Sequence, residues 1–252
     1  MMLLIDIGNS RIKWALTDAE DWQAGNPLLR GKHAFKDIAR PAWKDLEPPE
    51  RVIVACVAGD DYAKSVKTWI KRRWKIDPEF IKTDAQNCGV TNAYPDPERL
   101  GVDRWASLIA AHALYDAPVC IVDCGTAITI DAVAADGKHL GGLIVPGLDL
   151  MISSLTSQAP GIDLDKAMQQ EVSLLGRDTE SAVQGGTLYS AVALIDRVYN
   201  DISDELGRST VSVITGGDAG RILPLLSKQP DHEPDLVLRG LQIFAGETEC
   251  VT

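Results

Sequence analysis

The fold is indicated most clearly by one stretch near the start of the chain, Leu3-Leu4-Ile5-Asp6-Ile7-Gly8-Asn9-Ser10-Arg11-Ile12-Lys13-Trp14. It combines an apolar strand that leads to Asp6, a turn at Gly8, and a second strand in which apolar and polar residues alternate. Backbone N–H groups can approach a ligand closely at a glycine turn, and Arg11 and Lys13 add positive charge. We therefore predict a polyphosphate-binding loop here; the alternative for Lys13 is an exposed strand lysine without a ligand.

The same arrangement recurs in the second half of the chain, in residues 120–127 with the sequence Cys-Ile-Val-Asp-Cys-Gly-Thr-Ala. Asp123 corresponds to Asp6, and Gly125 corresponds to Gly8. Each hairpin is followed by strands that alternate with helical patterns, which is typical of an α/β fold with helices on the faces of its sheets. The chain is therefore predicted to contain the same α/β unit twice.

A helix-breaking segment, Asp116-Ala117-Pro118, lies just before the second hairpin. It places the predicted domain boundary there, which gives domains 1–117 and 118–252 with the ligand bound where they meet. Hydrophobic periodicity further predicts a long helix from about Thr179 to Leu206 and a short strand at Leu236–Leu238.

Composition excludes several classes of protein. The 252 residues carry a formal net charge of −11 at pH 7, whereas nucleic-acid-binding domains usually show a basic surface. The sequence has no run of about 18 apolar residues that could span a membrane, and its start lacks the pattern of a signal peptide. The five cysteines form no CxxC pair and are expected to be buried apolar side chains. We expect a cytoplasmic protein that binds neither nucleic acid nor membranes.

Common enzyme signatures are missing from the sequence. It has no GxGxxG, GxSxG or HExxH motif and no zinc-spaced set of cysteines and histidines. The segment 25–32 imitates a Walker loop, but His33 stands where Ser or Thr is required. A single strand–Asp–Gly turn is weak evidence. Two such turns in matching places, followed by Gly216-Gly217 after a later strand, form a much more specific set.

This set resembles the superfamily of acetate and sugar kinases, Hsp70 and actin. The resemblance implies two related ribonuclease H-like or actin-like domains, with mixed sheets flanked by helices and a nucleotide cleft between the domains. In that superfamily the two Asp-Gly turns hold phosphates and cations, and the later glycine pair lies by the adenosine.

Within the superfamily, the chain resembles type III pantothenate kinase over essentially its whole length. Two departures are Val102, where that family commonly has alanine, and Ser10, where it has threonine; neither removes a reactive group. The resemblance rests on six segments in the family's order: Asp6-Ile-Gly-Asn-Ser, Tyr94-Pro95, Gly101-Val102-Asp103-Arg104-Trp105, Val122-Asp-Cys-Gly-Thr-Ala127, Gly142-Leu-Ile-Val-Pro-Gly147 and Asp178-Thr-Glu-Ser-Ala182.

The resemblance implies transfer of the γ-phosphoryl group of ATP to pantothenate, the first step of coenzyme A biosynthesis, with Asp103 as general base. Asp123 corresponds to a site for a monovalent cation, K⁺ or NH₄⁺, and Asp6 is a candidate Mg²⁺ ligand. A homodimer is implied, with Thr179 acting in its own or the neighbouring subunit. The implied ATP contacts are Asp6, Ile7, Gly8, Asn9, Ser10, Arg11, Ile12, Lys13 and Thr126. The implied substrate contacts are Tyr94, Gly101, Val102, Asp103, Arg104 and Thr179.

The chemistry of these residues suits the implied roles. Phosphoryl transfer needs positioning, charge neutralisation and a carboxylate near the attacking hydroxyl, and Mg²⁺ favours one or two carboxylates plus phosphates. Arg104 is a natural partner for the pantothenate carboxylate. Asp103 and Thr179 each stand at the predicted start of a helix, so a helix N-cap is the alternative role for both.

Two other functions are compatible with the same fold. One is a nucleotide-dependent accessory or regulatory protein, and the other is a different small-molecule kinase or an exopolyphosphatase. The match at Tyr94 and Gly101–Arg104 favours pantothenate over other acceptors, and the polar residues expected for catalysis are all present.

Overall fold

The structure is a computed structural model that describes residues 1–18, 21–159, 161–162, 174–207 and 209–247. In chain order its strands are β1 (Met2–Ile7), β2 (Arg11–Thr17), β3 (Trp22–Ala24), β4 (Leu28–Leu29), β5 (Arg51–Cys56), β6 (Glu79–Phe80), β7 (Gln86–Asn87), β8 (Val90–Thr91), β9 (Val119–Cys124), β10 (Ala127–Val133), β11 (His139–Pro146), β12 (Val211–Thr215) and β13 (Asp231–His232). Its helices are α1 (Phe35–Ala42), α2 (Asp60–Trp74), α3 (Val102–Leu114), α4 (Leu148–Gln158), α5 (Thr179–Leu206), α6 (Ala219–Ile222) and α7 (Leu236–Glu247), with 3₁₀ turns at Pro97–Arg99 and Leu223–Leu225.

The two larger sheets share one strand plan. The first has the order β3-β2-β1-β5-β6, with β4 also paired to β2, and the second has the order β11-β10-β9-β12-β13. β1 and β9 each form an antiparallel hairpin with the next strand, and each pairs in parallel with a later strand, β5 or β12. A further parallel strand, β6 or β13, follows. The predicted α/β repeat, with mixed sheets, is therefore present in the structure.

The chain divides into two compact units whose limits differ from the predicted domains 1–117 and 118–252. The last helix and the turn at 136–139 belong to the first unit although they lie in the second half of the sequence. The first unit comprises Met1–Leu114, Asp136–His139 and the segment from Asp235 onward, and the second comprises Tyr115–Ala135 and Leu140–Pro234.

Both faces of the first sheet are covered by helices. Successive residues of β1 face opposite sides, so that Ile5 packs with α1 and α2 while Leu4 packs with α3 and α7. Burial on both faces explains why β1 is an almost continuous apolar run. The α1 and α2 side contains aromatic rings in edge-to-face contact: Phe35, Trp43, Trp69 and Trp74.

The segment Leu236–Leu238, predicted as a strand, is instead the first turn of α7. Periodicity cannot distinguish a strand from a helix over so short an apolar run. Leu241 and Ala245 continue the buried side of the helix. Close packing against α3 selects the helix over the strand. The contact is so close that a Cβ atom on Gly240 would lie only 2.0 Å from the Ala106 carbonyl oxygen.

The long helix α5 covers one face of the second sheet. Its bounds, Thr179–Leu206, confirm the predicted helix. Leu188, Ala191 and Ile195 are buried in a cluster with side chains of β9 and β10. Within the part of the chain that the structure describes, no helix is long and apolar enough to cross a membrane.

Candidate active site

The loop between β1 and β2 is a tight turn at the end of a buried strand. The Gly8 N–H donates a hydrogen bond to the Arg11 carbonyl (N···O 3.0 Å), and Asp6 is in register with Lys13 across the hairpin. Directly opposed residues project from the same face of a sheet. The turn therefore presents a carboxylate and an ammonium group side by side.

The remaining predicted ATP contacts of this loop fall into two groups. Ile7 and Ile12 are fully buried in the core, so only their backbone groups can reach a ligand. Asn9, Ser10 and Arg11 are exposed. The loop thus offers side chains at its tip and backbone groups at its base.

Arg30, which is not part of the β1–β2 loop, stabilises this loop by hydrogen bonds. It was not among the predicted site residues. Its Nη1 donates to the Asn9 carbonyl (2.6 Å), and its backbone N–H donates to the Ser10 carbonyl (2.9 Å). Its guanidinium carbon lies 4.3 Å from the centre of the Tyr62 ring. Arg30 follows β4, and the pairing of β4 with β2 brings it to the loop; no sequence signal marked it.

Asp103 lies in the first turn of α3, which begins at Val102. The Gly101 carbonyl accepts the first helical hydrogen bond, from the Trp105 N–H at 3.0 Å, which makes Gly101 the N-cap. The N-cap alternative for Asp103 is therefore wrong. Asp103 Oδ1 instead accepts the N–H of Arg104 (2.8 Å), and the helix N-terminus favours the ionised carboxylate.

The residues that flank this carboxylate also have structural roles. A Cβ atom at residue 101 would lie 2.6 Å from Asp103 Oδ1, so Gly101 leaves room for the carboxylate. Val102 is half-buried and packs against the core cluster that includes α7. Its packing fixes the start of the helix that carries Asp103.

Arg104 is a buried cation, with 7% of its surface exposed, and it contacts Tyr94. Its Nη1 donates to the Tyr94 hydroxyl (3.0 Å), and its guanidinium carbon lies 5.7 Å from the ring centre. The Tyr94 ring in turn stacks on His139, with the ring centres 6.2 Å apart and the planes inclined by 17°. Sequence reasoning missed His139 because the four histidines share no motif and this one lies far from Tyr94 along the chain.

In the second unit, backbone turns pack tightly around Asp123. The Gly147 N–H donates to the Thr126 carbonyl (2.9 Å), and a Cβ atom on Gly147 would lie 2.6 Å from that carbonyl oxygen. Gly216 has a φ of +98°, and a Cβ atom on it would lie 2.5 Å from Asp123 Oδ1. Glycine is therefore required at residue 216, which approaches the Asp123 carboxylate, and at residue 147, which approaches the backbone of the turn that follows β9.

A buried hydroxyl accompanies Asp123. Thr215 is in register with Asp123 on the neighbouring parallel strand, so the two side chains project from the same face. The Thr215 Oγ1 is buried and has no hydrogen-bond partner among the described residues. Monovalent cations are held by oxygen atoms, so Asp123 and Thr215 are candidates to hold such an ion.

The two cysteines of β9 are not suited to catalysis. Burial raises the pKa of the Cys120 and Cys124 thiols, and the carboxylates of Asp123 and Asp218 raise that of Cys124 further. A thiol that stays protonated is a poor nucleophile and a poor metal ligand. Both side chains are fully buried, as the sequence predicted.

Thr179 is the first residue of α5 and is exposed. The N-cap is Asp178, whose Oδ1 accepts the Ser181 N–H (2.8 Å), so the N-cap alternative for Thr179 is wrong. Hydrogen bonds from the Ser181 N–H and hydroxyl hold the pKa of the Asp178 carboxyl below its usual value. Thr179 is thus placed at an exposed helix start without serving as its cap.

The first unit brings five predicted substrate residues together around the start of α3, whereas Thr179, Asp123 and Thr126 lie in the second unit. Over the described residues, no group of three or more His, Cys, Asp or Glu side chains could hold a metal ion. Mg²⁺ bound with nucleotide phosphates needs only one or two protein carboxylates, and Asp6 beside Lys13 fits that requirement. The five predicted substrate residues around the start of α3 are Tyr94, Gly101, Val102, Asp103 and Arg104.

Sequence comparison relates the chain to known kinases. The family model of type III pantothenate kinase matches residues 2–201. A type III pantothenate kinase from Nitrosococcus oceani is 47% identical over 256 residues, an alignment that covers 100% of this chain and 96% of that protein.

Two solved structures resemble the fold. A candidate 2-dehydro-3-deoxygalactonokinase from Sinorhizobium meliloti gives a TM-score of 0.59 at 14% identity, covering 98% of this chain and 99% of that one. A candidate transcriptional activator of the Baf family from Campylobacter jejuni gives a TM-score of 0.58 at 22% identity, with the same coverage. These likenesses concern the fold alone, which this chain shares with a candidate sugar kinase.

Proposed function

This chain belongs to the type III pantothenate kinase family and phosphorylates pantothenate with ATP in coenzyme A biosynthesis, and from this premise we propose that Asp103 is the general base. The supporting observation is the arrangement at the start of α3. There a carboxylate at a helix N-terminus stands next to Arg104, a buried guanidinium. Pantothenate carries a reactive hydroxyl and a carboxylate, and this segment supplies a group for each.

In the proposed reaction, the primary hydroxyl of pantothenate attacks the γ-phosphorus of ATP as the bond to the β–γ bridging oxygen breaks. The hydroxyl proton moves to the Asp103 carboxylate as the new O–P bond forms, and ADP leaves. The hydrogen bond from the Arg104 N–H to Oδ1 fixes the direction of that carboxylate. Asp103 must be ionised at the start, which its position in the first helical turn favours.

We assign pantothenate binding to the residues around the start of α3, with Thr179 as a further contact. Arg104 can donate two parallel hydrogen bonds to a carboxylate, and its contact with Tyr94 limits the movement of the guanidinium. Gly101 and Val102 complete this substrate wall, and Gly101 leaves room for the Asp103 carboxylate.

We assign the ATP phosphates to the β1–β2 loop, residues 6–13, and a further ATP contact to Thr126. Lys13 pairs with phosphate oxygens, and the backbone N–H groups of the glycine turn add donors. Asp6 would hold Mg²⁺ together with the phosphates, and the ion would supply charge neutralisation at the transferred group.

We assign the monovalent cation, K⁺ or NH₄⁺, to Asp123 and Thr215. The support is the buried Thr215 hydroxyl beside the carboxylate. A bound cation offsets repulsion between anionic substrates and a protein whose net charge is −11.

We propose a homodimer in which a second copy of the chain covers an exposed apolar face of the second unit. β11 is an edge strand, and edge strands present backbone groups that can pair with another chain. A face centred on such a strand can be self-complementary, as a two-fold dimer requires. The dimer face is centred on Leu140 and Ile144 of β11, which are 42% and 61% exposed and, four residues apart, project from the same side of the strand.

We place the enzyme in the cytoplasm. The four cysteines within the described residues, Cys56, Cys88, Cys120 and Cys124, are all free. Free thiols are the usual state in a reducing compartment.

Replacing Asp103 by Asn tests the proposed general base. Because Asn cannot accept the proton but has nearly the same shape, we expect kcat to fall by about 10²- to 10⁴-fold with little change in the KM values. The measurement is a coupled assay of ADP release with pantothenate as the acceptor. The control is Glu98→Gln, an exposed carboxylate in the preceding 3₁₀ turn, which should keep wild-type kcat. An Asp103→Asn enzyme with more than a tenth of wild-type kcat would contradict the assignment.

A further inference from the structure

We propose that His139 is a positioning residue that sets the affinity for the carboxylate of the substrate through Tyr94 and Arg104. This inference rests on the proposed role of Arg104 as the partner of the pantothenate carboxylate. It adds a residue from a distant part of the chain, at the start of β11, to the substrate wall of the first unit.

His139 is fixed by burial and by one directional hydrogen bond. None of its surface is exposed, and its Nδ1 accepts the Ala93 N–H at 3.3 Å. The imidazole ring is therefore held in one orientation next to the residue that precedes Tyr94.

The turn that carries His139 is itself fixed to the first unit. The Thr91 N–H donates to the Gly137 carbonyl (2.9 Å). Gly137 has a φ of +82°, and a Cβ atom on it would lie 2.0 Å from the Gly89 carbonyl oxygen. Such close backbone contact leaves the turn little freedom, so the histidine is presented to Tyr94 at a defined distance.

Tyr94 connects the fixed imidazole ring to the Arg104 guanidinium. Its ring stacks on the imidazole, its N–H donates to Asn92 Oδ1 (2.9 Å), and its hydroxyl accepts a hydrogen bond from Arg104 Nη1. A guanidinium must be oriented to make two parallel hydrogen bonds to a carboxylate. The stack of His139, Tyr94 and Arg104 provides that orientation.

This arrangement predicts an effect that depends on the charge of the substrate. If His139 orients Arg104, its loss weakens binding of pantothenate, which has a carboxylate. It leaves nearly unchanged the binding of the primary amide analogue, in which CONH₂ replaces the carboxylate. A histidine that only stabilises the fold would affect both acceptors equally.

The test compares kcat/KM for pantothenate and for the amide in two variants. His139→Asn keeps a hydrogen-bond acceptor but removes the ring, and His139→Phe keeps a ring but removes the acceptor. For His139→Asn we expect kcat/KM for pantothenate to fall roughly 3- to 10-fold, the range expected for loss of one aromatic stack. The KM for ATP and kcat/KM for the amide should stay at the wild-type values, and His139→Phe should keep more of the preference for pantothenate than His139→Asn.

Because both acceptors are assayed on one preparation, their ratio does not depend on the fraction of folded enzyme. His232→Asn, at an exposed histidine of β13, is the matched control and should keep the wild-type ratio. Arg104→Met separates this inference from the proposed function. If Arg104→Met abolishes the preference for pantothenate but both His139 variants keep it, the role of His139 is refuted. If Arg104→Met also keeps the preference, the assignment of Arg104 fails and the inference fails with it.

Discussion

Arg30 illustrates how a single side chain can stabilise a binding loop without belonging to its motif. It donates to the Asn9 carbonyl through its side chain and to the Ser10 carbonyl through its backbone, and its guanidinium lies over the Tyr62 ring. Holding the carbonyl groups on one side of a turn directs the N–H groups of that turn to the other side. Arg30 thereby helps to preorganise the donors proposed for the ATP phosphates.

Replacing Arg30 by Met should therefore raise the KM for ATP by about tenfold, because a hydrogen bond from a charged donor is worth about 1.5–3 kcal/mol. The KM for pantothenate should not change. Steady-state kinetics with each substrate varied in turn measures both values. Arg40→Met, at an exposed arginine of α1, is the control, and equal effects of the two substitutions on the KM for ATP would contradict the role of Arg30.

Thr215 provides a second test at the residue scale. Thr215→Val keeps the shape of the side chain but removes the hydroxyl proposed to contact the cation. We expect the K⁺ concentration that gives half-maximal activity to rise about fivefold, which corresponds to about 1 kcal/mol for one lost oxygen ligand. Thr215→Ser keeps the hydroxyl and should respond to K⁺ like the wild type. An enzyme that shows the same rate in Na⁺ as in K⁺ would contradict the cation assignment itself.

The candidate residues that depend on local backbone chemistry could be recognised from the sequence. Asp6 and Asp123 could be found because a strand, an aspartate and a glycine turn are adjacent in the chain. Arg30, His139 and Thr215 could not be found in this way. Each reaches the candidate residues of its own unit through strand pairing or through a turn from a distant segment, and its own neighbours in the sequence carry no motif.

At the scale of elements, the contact between α3 and α7 depends on Gly240. Its Cα faces the Ala106 backbone so closely that no side chain fits without movement of one helix. Because α3 carries Asp103 and Arg104, this contact also fixes the helix that carries these two proposed substrate residues. The packing of Gly240 is thereby linked to the position of the proposed general base.

Gly240→Ala should lower the free energy of unfolding by about 1–3 kcal/mol, the usual cost of overpacking a close contact. Gly246→Ala in the same helix is the matched control, since a Cβ atom there meets nothing within 4 Å. It should leave stability unchanged or raise it by up to about 1 kcal/mol, because alanine favours a helix over glycine. Urea unfolding followed by circular dichroism measures both values; equal stabilities for the two variants would contradict the tight contact.

The length of an element decided how well the sequence predicted it. α5 shows its periodic apolar face over many turns, and its predicted bounds agree with the structure. The three apolar residues at Leu236–Leu238 fit a strand and a helix equally well. There the tertiary contact with Ala106, which the local sequence does not encode, selects the helix.

At the scale of the whole molecule, the dimer face gives a clear prediction. Ile144→Glu places a charge on the edge strand β11, where the side chain is 61% exposed, and should convert the proposed dimer into monomers because a charge buried without a partner is unfavourable. Sedimentation velocity measures the change. Leu114→Glu, at an exposed leucine at the end of α3, is the control and should leave the dimer intact. A wild-type monomer, or a dimer that persists in Ile144→Glu, would contradict the proposed face.

Because α7 belongs to the first unit, that unit cannot complete its folding until α7 has been synthesised. One side of the first sheet, including Leu4 and Ile53, packs partly against α7, and residues 236–247 are synthesised long after these strands. At about 5–20 residues per second, translation of the intervening segment takes on the order of ten seconds. Throughout that interval the surface of the first sheet that α7 covers has no partner from this helix, so the core of the first unit is completed only after α7 has been made.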